Sequence, residues 1–454
     1  MKKLGLVLCC FVCINTYGQN SDSLFIRNLA NEVLTNSSSY RNLKVLCKDI
    51  GPRLSGTVQA DKAVQVAKNM LMTAGADTTY LQPCTVKVWQ RGKKETGFIL
   101  KANNSKYALA LCALGNSIAT PLNGLEAEII EVKDLNALHL LGKSVKGKIV
   151  FFNQKMDPAK VNTFIAYSES GGARRSGAAQ ASKYGAAGVI IRSLASNIDP
   201  YPHTGATLYN DSFPKIPAVA ISTKDAEWLH DELSKREKVR GSFTVNSSML
   251  GTKETANVIG EIRGSDHPDE IITVGAHLDS WDLGEGAHDD GTGCVQGIEV
   301  IRAFKALGIQ PKRTIRIVLF MNEENGSAGS KAYHDAAKKN KEQLSFALES
   351  DAGGFSPRGL SLDMDDQRTE SIKKWKPLLE PYGIYEIYSG GSGADIDRLK
   401  DLGTALAGFA PDSQRYFDIH HAATDVFETV SKRELDLSTV TIAALVWLVS
   451  EYGL

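Results

Sequence analysis

The sequence has no excess of either charge: lysine and arginine together number 52, and aspartate and glutamate together number 52. Without a basic stripe there is no electrostatic footprint for a phosphate backbone, so nucleic acid is excluded as a partner and a small or neutral one is implied. Cysteine is sparse, with 7 in 454 residues. Three of them, Cys9, Cys10 and Cys13, crowd near the amino terminus, and the other four, Cys47, Cys84, Cys112 and Cys294, stand far apart with no CxxC spacing. That pattern excludes a thiolate metal site and leaves one or two disulfides open without pairing them. Internal repeats and low-complexity tracts are absent. The apolar run near the amino terminus falls short of the ~20 residues that cross a bilayer, so no transmembrane segment is expected in the mature chain.

What is present begins with MKKLGLVLCCFVCINTYGQN: Lys2 and Lys3, an apolar stretch through Ile14, and the small residue Gly18 at a cut. Residues 1–18 thus read as a cleaved export signal, and the mature protein is expected to be secreted or periplasmic. A chain of 454 residues, 43% hydrophobic and 23% charged, is globular and too long for one ordinary core.

Two segments of different character follow. Ser23 to about Asn116 reads as helix, turn, helix and then strands, with IGPRLSG (Ile50 to Gly56) as a loop between helical stretches. Leu125 to Leu135, Gly147 to Phe152 and Phe213 to Ser222 are short β-rich runs, and Ala181 to Ser193 turns at Gly185 from a helix into a buried strand. These form a β-rich insert over residues 120–250, so that 19–119 and 251–454 make up one domain around it. After Asn257 apolar strands at Ile271–Ala276, Thr314–Met321, Ser345–Leu348 and Leu406–Phe409 alternate with helices such as Gly293–Leu307. That alternation implies an α/β fold with a mostly parallel central sheet covered on both sides, with function gathered at the strands' carboxyl ends.

The chemistry-bearing residues fall at those ends. His277 and Asp279 follow the first strand, Glu323 and Glu324 the second, Asp351 the third, and His421 comes after the fourth. GAHLDSWDLGEGAHDDGTG, Gly275 to Gly293, sets two histidines and five acidic side chains among glycines, and Asp289 can swing back toward His277 through its glycine-rich loop. That many carboxylates beside imidazoles call for a cation, and mixed nitrogen and oxygen donors suit zinc better than calcium or magnesium. Five ligands, His277, Asp289, Glu324, Asp351 and His421, exceed one catalytic ion and fit two if Asp289 bridges them. Glu323 and Glu324 are adjacent, so on extended backbone their side chains diverge: Glu324 binds metal while Glu323 serves as general base. His420, His288 and Asp290 are read as supporting groups.

In this order and spacing the segments resemble the co-catalytic di-zinc exopeptidases, the aminopeptidase and carboxypeptidase Q-like family. IGPRLSG, the His277 segment, MNEENG, ESDAGG, and SGGSGADIDRL with YFDIHHAATDV are its landmarks here. The resemblance implies a zinc exopeptidase fold, with His277, Asp289 and Asp351 on one zinc and Asp289, Glu324 and His421 on the other. It also implies Glu323 as base, Asp279 as a catalytic residue supporting His277, a cis Asp289–Asp290 peptide, short peptides or dipeptides as substrates, and a homodimer. The 120–250 insert is similar to a protease-associated domain, through GKSVKGKIVFF and IPAVAIS. His288 departs from the family's usual apolar or amide residue. Two readings of other classes stand beside an exopeptidase. One is a non-catalytic receptor or binding module, which missing ligands would mark. The other is a glutaminyl cyclase on the same scaffold, against which the insert counts.

Overall fold

The run Ile271-Ile272-Thr273-Val274 is β-branched at every position, which suits a pleated surface packed on both faces. In the computed structural model, which describes residues 12–235 and 237–454, it lies in the strand His267–His277, whose last seven residues are all buried. The export signal expected over residues 1–18 falls mostly outside the described residues. The strand belongs to an eight-stranded sheet ordered Thr78–Gln90, Ser248–Ile262, Arg313–Phe320, His267–His277, Gln343–Glu349, Ala405–Pro411, Pro357–Asp363, Glu386–Ser389. Its four central strands are mutually parallel and are the four that the sequence places after Asn257. The flanking strands Ser248–Ile262 and Pro357–Asp363 join this centre antiparallel.

Side-chain alternation gives the sheet two cores. Ile272, Val274, Ile315, Ile317, Leu319, Phe346 and Leu348 face the helices Val58–Ala74, Thr292–Ala306 and Lys432–Tyr452. Val318, Phe320, Ala347 and Leu406 face Tyr333 and Ala337 of the helix Ala328–Asn340 on the other side. Lys432–Tyr452 is long and apolar enough to cross a membrane, but 83% of its apolar window is buried, as befits a helix packed all round inside a large core.

A second eight-stranded sheet is built from strands between Thr96 and Thr244. Three of them, Thr96–Leu100, Lys106–Ala108 and Leu111–Ala113, lie ahead of residue 120, where the composition suggests a boundary. The chain leaves the central sheet along Thr78–Gln90 and returns along Ser248–Ile262, and these two strands pair antiparallel from Thr78↔Glu261 to Gln90↔Ser248. Trp89, at the far end of that ribbon, is buried in the second sheet's core, as is Trp281 from the loop after His277. The loop that carries the metal-ligand candidates is thus anchored in both units. Cys47, Cys84, Cys112 and Cys294 are all buried and free, so neither of the disulfides left open by the sequence forms.

Candidate metal centre

Because the four central strands are parallel, their carboxyl ends share one edge, and the turns leaving them converge there. His277 closes its strand; its Nδ1–H donates to the carbonyl of Asp279 at 2.9 Å, which aims Nε2 into the site. That Nε2 lies 3.1 Å from Oδ1 of Asp289 and 3.6 Å from Oδ1 of Asp351. On the opposite side, Nε2 of His421 lies 3.3 Å from Oδ2 of Asp289 and 3.1 Å from Oε2 of Glu324. All five expected ligands therefore meet. Asp289 stands between the two histidines with one carboxylate oxygen turned to each, and its peptide bond to Asp290 is cis.

Electrostatics show what the cluster calls for. Burial alone would keep both imidazoles neutral, but Asp351 and Asp289 pull His277, and Glu324 and Asp289 pull His421, well above the ordinary histidine value. Burial pushes Glu323 up to about 8 and Glu324 up to about 7, with neighbouring carboxylates adding to both. Oδ1 of Asp351 is buried with no hydrogen-bond partner. A cluster of carboxylates that must take up protons to coexist, with an orphaned oxygen among them, is what a cation would relieve. The nitrogen and oxygen donors fit zinc, and overlapping triads including His277–Asp289–Glu324 have donor atoms within 4.8 Å of one another.

The supporting residues separate from the ligands by their partners. Asp290 also comes within reach of His277 and Asp351, but its two oxygens accept the backbone N–H groups of His277 (3.1 Å) and Gly293 (3.0 Å). His288 accepts the Gly354 N–H at 3.1 Å and stacks on Phe355, so it props the loop from behind. His420 stacks on His421 with ring centroids 3.5 Å apart, and its Nε2 is 3.7 Å from Asp289, farther than that of His421. Asp425 accepts the backbone N–H groups of His288 and Asp289, clamping Asp289 between the two histidines. The carboxylate of Asp279 does not reach His277. Its Oδ1 accepts the backbone N–H groups of Asn322 (2.6 Å) and Glu323 (3.1 Å), so it fixes the turn bearing Glu323 while its carbonyl orients the histidine.

The contacts of several further residues at the site are not legible in the sequence. Arg53, inside IGPRLSG, is fully buried and donates to the carbonyls of Leu278 (2.6 Å), Glu285 (2.7 Å) and Gly286 (2.8 Å), tying down the loop that presents Asp289. Replacing it by methionine leaves three carbonyls without donors, and a loss of about 3 kcal/mol or more is expected in urea unfolding, with lysine a poor substitute because it lacks the planar fork. From the second sheet's unit, Thr204 N–H donates to the His421 carbonyl at 3.0 Å and His203 Nδ1–H to the His420 carbonyl at 2.6 Å. The backbone N–H of Trp281 donates to Oε1 of Glu324 at 3.1 Å.

The raised carboxyl values give a pH test of metal-free protein. Groups whose folded pKa is raised stabilise while protonated, fully below their unfolded values of 3.8 for Asp425 and 4.5 for the glutamates, and that contribution is lost as pH rises through about 7 for Glu324 and Asp425 and about 8 for Glu323 and Glu349. The raised His277 and His421 act in the same direction. His203 and His288, lowered to about 4 by burial, act oppositely, but their stabilisation is lost below pH 6.5, outside the window. Chelated protein is therefore expected to melt lower at pH 8.5 than at pH 6.5 in calorimetry. Added zinc is expected to flatten the difference.

The chain is similar to known peptidases along most of its length. The model of Peptidase family M28 matches residues 257–446. Human carboxypeptidase Q is 34% identical over 427 residues, spanning 94% of this chain and 87% of its own length. Its Xenopus laevis counterpart is 34% identical over 414 residues, spanning 91% and 85%. The crystal structure of the peptidase M28 precursor from Shewanella amazonensis superposes with a TM-score of 0.90 at 33% identity, over 95% of this chain and 97% of its own. A zinc aminopeptidase from Bacillus subtilis shares the fold, with a TM-score of 0.63 at 21% identity over 90% and 93%.

Proposed function

Since the chain belongs to peptidase family M28, we propose that it is an exported, co-catalytic di-zinc exopeptidase that releases amino acids from short peptides, dipeptides above all. The observation that carries this reading is Asp289, whose two carboxylate oxygens face different histidines at 3.1 and 3.3 Å, the arrangement a bridging ligand needs. His277, Asp289 and Asp351 would hold one zinc, and Asp289, Glu324 and His421 the other. When bound, zinc supplies Lewis acidity that polarises a carbonyl and makes water a nucleophile near neutral pH.

The chain's own groups do the rest. Glu323, half-buried beside the ligands, is the proton carrier: its carboxylate takes a proton from the attacking water and returns it to the leaving nitrogen. Asp279 acts beside it by fixing the Glu323 backbone and, through its carbonyl, the orientation of His277. Arg53 and Asp425 keep the Asp289 loop in one position, so the donors are set before substrate arrives. Export rests on the pattern of residues 1–18, and the unit carrying the second sheet is assigned as a protease-associated domain over the site.

The test is an assay of purified protein on a dipeptide panel, with and without chelator. Chelator-sensitive release of free amino acids, restored by zinc, is the expected result. Binding of peptide without turnover would favour a receptor, and conversion of amino-terminal glutamine to a ring would favour a cyclase; either result overturns the proposal.

A further inference from the structure

The two units meet beside the metal centre through an ion pair for which the proposed reaction has no use so far. Arg91 is the first residue past the strand Thr78–Gln90, where the chain enters the second sheet's unit, and only 10% of its side chain is exposed. Its fork holds Asp282 with two bonds, Nε to Oδ2 at 2.8 Å and Nη2 to Oδ1 at 2.6 Å. Nη1 donates to the Ala113 carbonyl at 2.7 Å and to Oε1 of Glu95 at 3.1 Å, which fixes the guanidinium within its own unit. Bidentate pairing of this kind sets direction as well as distance. Asp282 lies in the loop that follows His277, so a side chain of one unit dictates where the loop of the other runs.

The residue before Asp282 carries the effect to the metal centre. The backbone N–H of Trp281 donates to Oε1 of Glu324 at 3.1 Å and leaves Oε2 to face His421, also at 3.1 Å. The indole of Trp281 is buried in the second sheet's core, edge-on to Trp89 at 6.2 Å, and it occupies the space over Gly115, where a Cβ would fall 1.8 Å from Cη2. Arg91 reaches a second ligand by another route: Nη2 lies 3.4 Å from Oγ1 of Thr204, whose N–H holds the His421 carbonyl at 3.0 Å. Glu324 and His421 are the two ligands that only one of the two zinc ions would use. The other ion's own ligands, His277 and Asp351, are placed by the central sheet, at the end of His267–His277 and just after Gln343–Glu349.

We propose that Arg91 is a positioning residue for the zinc held by Asp289, Glu324 and His421: through Asp282 it sets the Trp281 N–H that orients the Glu324 carboxylate, and through Thr204 it steadies His421. This inference rests on the di-zinc peptidase reading. It makes the grip on one ion, and not on the other, depend on how the second sheet's unit is seated.

The test titrates zinc into chelated protein against a competing chromophoric chelator, which reads the affinity of each ion. Wild-type protein should take up two. In Asp282→Asn and in Arg91→Met one ion should be held about 10- to 100-fold more weakly, the usual worth of a partner that orients a metal ligand, and the other as tightly as in wild type. The double variant should lose no more than either single one, because the two side chains act as one device. Gly115→Ala, which displaces the Trp281 ring with both charges in place, should weaken the same ion, and the visible spectrum of cobalt-substituted protein should change at that site alone. Asp282→Asn keeps the shape of a partly exposed residue, so it reports even if loss of Arg91 unfolds the chain. Equal weakening of both ions, as a general loosening would give, or no weakening of either, overturns the inference. Selective loss of one ion from a protein that releases no amino acids keeps the inference and removes the peptidase reading, and uptake of no zinc by wild-type protein removes both.

Discussion

Glu323→Gln is expected to lower kcat by about 10²- to 10⁴-fold, the usual contribution of a positioned acid–base group, with KM little changed. The substitution keeps size and hydrogen-bonding capacity and removes only the ability to hold and pass a proton. Glu323 makes its backbone contact to Asp279 through N–H, which glutamine retains, so the turn should stay in place. Its carboxyl is pushed up to about 8, by burial first and by Asp351 and Glu324 after it, so the neutral amide should be tolerated by the fold. Metal content by mass spectrometry and the melting temperature should therefore match wild type. A variant with full metal that keeps more than about a tenth of wild-type kcat would move the base elsewhere.

Loss of the metals should have a larger effect still. Dialysis against chelator is expected to abolish turnover and to lower the melting temperature by several degrees, since a ligand present at a hundred times its Kd contributes about 2.7 kcal/mol to the folded state. Zinc alone should restore both. Asp289→Asn is the sharper form of the experiment. Asparagine fits the space and can still accept a hydrogen bond, but it loses the charge on which both histidines converge, at 3.1 and 3.3 Å. Metal analysis is expected to find two zinc ions per chain in wild type and a deficit of both in the variant. Loss of one ion with the second fully held would show that the two sites are independent and that Asp289 does not bridge.

Much of this site was legible because its residues follow runs that only a buried strand explains. Ile271 to Val274, Thr314 to Phe320 and Leu406 to Phe409 carry no charged residue apart from Arg316, and a parallel arrangement puts whatever comes next on one edge. The boundary of the second sheet was not legible, because Thr96–Leu100 and Lys106–Ala108 are short and half-exposed and have no apolar run to announce them. The role of Arg53 was invisible for another reason, although the segment IGPRLSG that carries it stood out. An arginine in a loop is normally solvated, and what makes this one different is contacts to residues more than two hundred positions away, Leu278 and Gly286. The route by which Asp279 acts was also hidden, since spacing does not say that its carbonyl, rather than its carboxylate, meets His277.

Both covalent crossings between the two sheets run along a single ribbon, Thr78–Gln90 with Ser248–Ile262, and Gln90 lies directly opposite Ser248. A tight hairpin spliced across that pair would excise the whole intervening segment without cutting the central sheet. All five donor side chains would stay on the shortened chain, while His203 and Thr204, which hold the His420 and His421 carbonyls, would leave together. The architecture is modular in that sense: the clustered donors and the groups that brace the His420–His421 turn are encoded in separate stretches, held together by this ribbon and by the Trp281 loop.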